Sequence, residues 1–188
     1  MDLVEGENLS SKVDFEVLTL SIIWHDVWKA TRTFSPSVIR FWFDQMYEGI
    51  GSTKILKKYA RDLGYKQEKV KQIALAIRFH PGFEYALPAR MWFLWNRLKI
   101  DEAKILRDLD VLESSISIDQ LENFKANWFP IICKHSQFKK IWSRYYRRGL
   151  SMIDDSYFNY EWSKEQYKKH SPAFAVRADE IIEEMLLL

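Results

Sequence analysis

The chain reads as all-α, a compact orthogonal bundle of helices. Apolar residues recur at spacings of three and four from end to end. Period-two alternation of β-branched residues is nowhere sustained. Six glycines and five prolines in 188 residues are too few for the turns of an all-β fold. At this length a single domain buries about 70% of the surface its unfolded chain exposes, so no disulfide staple is needed.

The elements follow in order. Val13, Val17, Leu20 and Trp24 share one helical face and Trp28 continues it, which predicts one long buried helix from near Ser10–Ser11. Ser35-Pro36 reads as an N-cap with proline at the first helical position. The helix it opens carries Val38, Ile39, Trp42, Phe43 and Met46 and is expected to stop near Gly49 and Gly51. Ser52 then caps a further segment, Ile55-Leu56-Tyr59-Ala60-Leu63, that ends at Gly64. Gln67 to Phe79 reads as a helix with Val70, Ile73, Ala74 and Ile77 inward, broken by His80-Pro81-Gly82. A loop with Pro88 leads into the aromatic run Met91–Trp95, and Asp101 caps a helix through Glu113. Helices are expected near 118–127, 130–148 and 172–187, with Tyr157–Tyr167 irregular or only partly helical. The apolar tail Met185–Leu188 is expected to close the last helix against the core. The chain is read as one domain, with a core over about residues 12–125 and a helical extension over about 126–188.

Composition excludes several classes. Lys and Arg number 28 against 26 Asp and Glu, a balance of +2 that is too mild to imply nucleic acid. The single cysteine, Cys133, leaves no internal disulfide framework and no Cys-rich zinc or iron–sulfur module. A reducing, cytoplasmic setting is the simplest expectation. No signal peptide and no membrane-spanning apolar run is read, so no membrane partner is expected. Nothing in the sequence decides between a monomer and a homo-oligomer.

Three segments carry chemistry-bearing residues. His25-Asp26 interrupts the apolar run Leu20, Ile22, Ile23, Trp24, Val27 and Trp28. A carboxylate buried there without a partner costs several kcal/mol, which a divalent cation, or a nearby Lys or Arg, would offset. Asp108-Leu109-Asp110 lies on a helix whose stripe is Ile105, Leu109 and Leu112, so both carboxylates border the apolar face. Arg107 or Lys104 is the alternative partner for them. Ala76-Ile77-Arg78-Phe79-His80-Pro81 places a histidine at a helix C-terminus, where the helix dipole alone would favour it.

Taken together, these segments resemble the HD-domain superfamily of metal-dependent phosphohydrolases, over roughly residues 12 to 125. Leu20–Lys29 looks like the signature helix, with apolar residues leading into His-Asp and a lysine three positions later. Ile73–His80 looks like the helix that brings another histidine to the pocket. Leu106–Leu112 looks like the last metal-binding helix, where an aspartate precedes a leucine by two residues. The resemblance implies an all-helical fold of the HD type and hydrolysis of a phosphate ester, often a nucleotide. It implies a divalent metal ion (Mn, Mg, Fe, Ni or Zn) held by His25, Asp26 and Asp110, with Asp108 in support. It places Lys29, Arg78 and His80 near the substrate phosphate, His80 as proton donor or phosphate contact.

Two departures from the family pattern stand out. The family's first ligand is a histidine well upstream of the His-Asp pair, and no histidine precedes His25. The expected site is thus completed upstream of Met1 or is one ligand short, and the chain as given is expected to be at best a weak hydrolase. The family also favours a small residue where Trp28 stands. Trp28-Lys29 lacks the acidic pair of the members that hydrolyse stringent-response nucleotides, which excludes that substrate.

Alternative expectations are a catalytically impaired HD-like module that binds a nucleotide or a protein, and a helical nucleic-acid-binding protein. The second would use Arg144-Tyr145-Tyr146-Arg147-Arg148, although such a run equally suits a helix that buries tyrosines and solvates arginines. Cys133 and His135 are two apart on a helical path and face different ways, so they make no catalytic pair.

Overall fold

The computed structural model describes residues 12–33, 37–80 and 100–188. Every regular element among the described residues is helical: α1 (Phe15–Trp24), α2 (Val27–Ala30), α3 (Val38–Tyr59), α4 (Gln67–Phe79), α5 (Asp101–Ile116), α6 (Ile118–Ile132), α7 (Ser136–Met152) and α8 (Glu161–Leu187), with a 3₁₀ turn at Asp155–Tyr157. The all-α expectation holds. The chain forms two compact units. The first takes residues up to 34 and 42–107; the second takes 35–41 and 108–188, so the division falls within α5.

In the first unit α1 packs along α4. Val17, Leu56, Ala60, Val70, Ile73, Ala74 and Ile77 form the core, with Leu20, Trp24 and Tyr65 against it. Complete burial of a side chain such as Ile73 or Ile77 contributes about 2 kcal/mol. The inward residues predicted for α4 are all buried, and Gly64 ends the preceding turn with φ +74°, a conformation that favours glycine. Asp14 caps α1 through bonds from the Glu16 and Val17 amides, and its own amide donates to Glu102 Oε1 at 2.8 Å.

Two expectations here are corrected. The single helix through Trp28 breaks at His25-Asp26: His25 Nδ1 takes the Ile22 carbonyl, and Asp26 leaves helical geometry at φ −97°, ψ 2°. The stop at Gly49 and Gly51 does not occur, because α3 runs through both glycines to Tyr59. Ser52 does not cap its own helix. Its Oγ accepts from the Trp28 amide at 3.0 Å and so serves the exposed first turn of α2. Of the side chains assigned to the start of α3, Ile39 and Phe43 are exposed, and those of Val38, Trp42 and Met46 lie outside the described residues. The predicted Ser35-Pro36 cap, Pro81-Gly82, Pro88 and the Met91–Trp95 run also lie outside them.

In the second unit α6 and α7 both pack on α8. Phe174, Ala178, Ile181, Ile182 and Met185 are the buried side of α8 beyond its first turn. They are matched by buried Leu121, Phe129 and Ile132 on α6 and Phe138 and Trp142 on α7. Helices α6, α7 and α8 begin or end away from the predicted bounds. Pro130 and Pro172, read as starts, both lie inside helices on exposed positions, where the carbonyls they leave open can reach water. Tyr157–Tyr167 is irregular only as far as Tyr160; α8 starts at Glu161, eleven residues before the expected 172. The tail closes on the core through Met185, while Leu187 and Leu188 are exposed.

Candidate functional site

Two histidines end two helices of the first unit in the same way. His25 is the C-cap of α1 and His80 the C-cap of α4. Each ring holds Nδ1 2.7 Å from the carbonyl three residues earlier, Ile22 and Ile77. A carbonyl only accepts, so Nδ1 carries the hydrogen in both rings and Nε2 is left as the second polar atom. The rings meet edge to face with centroids 5.3 Å apart.

Each Nε2 faces a carboxylate. His25 Nε2 is 3.7 Å from Asp26 Oδ2, and His80 Nε2 is 3.9 Å from Glu48 Oε1. Between the two carboxylates stands Lys29, with Nζ 3.1 Å from Asp26 Oδ1 and 2.9 Å from Glu48 Oε1. Glu48 and His80 are buried, with side chains 6% and 0% exposed. Asp26 is 49% exposed, which corrects the expectation of a carboxylate enclosed by a helix. The break after His25 is what turns it outward. Burial acts to raise the Asp26 pKa. A hydrogen bond shared with Glu48, the Lys29 ammonium and His25 together outweigh it and hold the carboxyl well below the usual carboxylate range.

Of the residues predicted for the site, the structure brings His25, Asp26, Lys29 and His80 together. Arg78 is exposed on α4, its guanidinium over the Phe79 ring at 5.8 Å. Asp110 is half-buried and belongs to the second unit. Asp108, in the same unit, is fully buried and satisfied by protein donors: the Asn159 amide and Nδ2, the Tyr160 amide and Ser163 Oγ, at 2.7–3.1 Å. It anchors the entry to α8. Burial raises its pKa against the lowering effect of these bonds. Glu48 was missed. Its signal was present, since it stands four and eight residues before Ser52 and Leu56, both fully buried on the same face of α3.

Trp28, expected to narrow the site, turns its ring onto α3. It packs across Gly51, meets Tyr47 edge to face with centroids 5.0 Å apart, and carries the Arg32 guanidinium 4.6 Å above it.

The donor set suits a divalent cation in kind. Two neutral imidazoles and two carboxylates are ligands for a borderline metal, and each histidine has its Nδ1 hydrogen tied to a carbonyl, the usual support for a metal-binding Nε2. Lone pairs of imidazole and carboxylate that face each other across 3.7–3.9 Å leave a gap that a cation fills. As it stands, no group of three or more His, Cys, Asp or Glu among the described residues is arranged to hold a metal ion. The positive charge at the carboxylates is the Lys29 ammonium.

In the second unit, Tyr146 stacks on Trp142 at 4.9 Å, and Arg147 pairs with Asp179 at 3.1 Å and with Glu183. Among the described residues no helix is long and apolar enough to cross a membrane. Comparison with known proteins finds no family model, no curated relative and no solved structure that matches this chain.

Proposed function

We propose that the protein is a phosphohydrolase of the HD type, acting on a phosphate ester such as a nucleotide with a divalent cation held at the His25–Asp26 corner. The observation behind this is the meeting of His25, Asp26, Glu48 and His80 around one positive charge. When bound, a divalent cation supplies Lewis-acid polarisation of a phosphoryl oxygen and a more acidic water. His25 Nε2 and Asp26 are the ligands this chain offers from α1 and the break after it. Glu48 and His80 form the buried wall that holds them in place. Lys29 and Arg78 provide positive charge for the substrate phosphate. His80, fully buried, acts on the Glu48 side of the cluster.

The test is metal content together with hydrolysis of nucleoside monophosphates in Mn²⁺, on the wild type and on Asp26→Ala. Metal retained and phosphate released by the wild type alone support the proposal. No metal and no hydrolysis in either chain reject it.

A second reading is an HD-like module that binds a nucleotide or a protein without turnover. The bridge from Lys29 to Asp26 and Glu48 favours it, because an internal cation already neutralises the carboxylates. In that case the same wild-type sample binds nucleotide without metal and releases no phosphate. Nucleic-acid binding through the arginine–tyrosine run has less support, since Arg147 is engaged by two carboxylates and Tyr146 by Trp142.

A further inference from the structure

We infer that Lys29 is a built-in competitor for the metal position, so that cation binding requires its ammonium to leave Asp26 and Glu48. The inference rests on the metal-site reading above and concerns how that site is regulated. Lys29 lies one helical turn beyond Asp26, on the short helix α2, and its ammonium contacts carboxylates from two elements, at 3.1 Å and 2.9 Å. These carboxylates are the hard oxygen donors of the cluster, and an ammonium and a divalent cation are alternative ways of neutralising them.

The lysine is suited to leave. Its side chain is 36% exposed, whereas the Glu48 carboxylate it touches is 6% exposed. A flexible four-carbon stem lets the head group move into solvent while the carboxylate stays. The departing ammonium would then be available to a bound phosphate, so one residue serves as counter-ion in the empty site and as anion contact in the loaded one. Affinity for the cation is reduced by the share of molecules in which Lys29 holds the carboxylates.

The experiment is calorimetric titration of Mn²⁺ into the wild type, Lys29→Met, Lys29→Gln and Asp26→Asn, with circular dichroism on each. The neutral variants should bind Mn²⁺ about tenfold more tightly than the wild type, the factor set by about 1.4 kcal/mol, and Asp26→Asn should lose binding. Lys29→Gln keeps a hydrogen-bonding head and serves if Lys29→Met does not fold. On the unsubstituted chain, Zn²⁺ should also release the Lys29 side-chain amine into fast exchange with water, read by ¹⁵N NMR. Equal or weaker binding by the neutral variants, or a Lys29 amine unchanged by Zn²⁺, overturns the competition while the metal site stands. Absence of Mn²⁺ binding in every chain overturns both.

Discussion

Trp28 lies across Gly51 so closely that a Cβ on the glycine would overlap the indole, with Cγ and Cε3 each 2.6 Å away. The contact explains why α3 carries a glycine in mid-helix without stopping there. The glycine makes room for a ring, and that ring, with the Trp28 amide bond to Ser52 Oγ, fixes the segment that begins α2 directly after Asp26.

Gly51→Ala should therefore destabilise the protein, although glycine to alanine within a helix ordinarily stabilises by about 1 kcal/mol. A loss of about 1–3 kcal/mol is expected from overpacking. Trp28→Val should relieve it, so thermal or urea unfolding of the double variant should show a coupling of opposite sign to the single losses. Additive losses would remove the contact from consideration.

Asp26→Ala should abolish metal retention and leave the fold intact. The side chain is 49% exposed at a helix break, and exposed ion pairs contribute about 1 kcal/mol or less to stability. Elemental analysis of metal-loaded protein checks the first part and circular dichroism the second. Equal metal in both chains would rule out Asp26 as a ligand.

Asp108 and Asp110 should separate by phenotype. Asp108→Ala leaves the Asn159 and Tyr160 amides and Ser163 Oγ without their acceptor, and a loss of about 3 kcal/mol is expected. Because its oxygens already accept from protein donors, the metal role that the resemblance gives this helix falls to Asp110. Asp110→Asn should thus lower metal retention more than Asp108→Asn, while Asp108→Asn should lower the unfolding midpoint more. A reversed order in metal content would move the ligand to Asp108.

Acid should expose the contribution of Asp14. The Lys69 hydrogen bond, then the Val17 amide, hold its carboxyl below the ordinary value of 3.8. The folded pKa is lower than the unfolded one, so the contribution is complete above the unfolded value and is lost as pH falls through the folded one. The stability difference between wild type and Asp14→Asn should be level from about pH 5 upward and shrink below about pH 4. A difference that grows in acid would show the sign to be wrong.

Much of the molecule was legible in the chain. Helix α4 and its inward residues could be read directly, because a 3.6-residue period in four apolar side chains reports which face is buried. The left-handed turn at Gly64 was equally local. His25, Asp26 and His80 stood out as polar residues at the ends of apolar runs, and the structure sets them beside one another within the first unit.

What the tertiary structure decided depends on partners distant in sequence. Gly51 reads as a helix stop until Trp28, 23 positions earlier, is seen to lie on it. Ser52 reads as a cap for its own helix, yet serves the Trp28 amide. Eleven residues before Pro172 join α8 because Asp108, on another helix, accepts the amides at its start. Glu48 carries no local mark of function, and only folding places it against Lys29 and His80. Periodicity reports which face of a helix is buried; it holds no record of which polar atom on another element will meet that face, and those meetings set both the helix limits and the composition of the site.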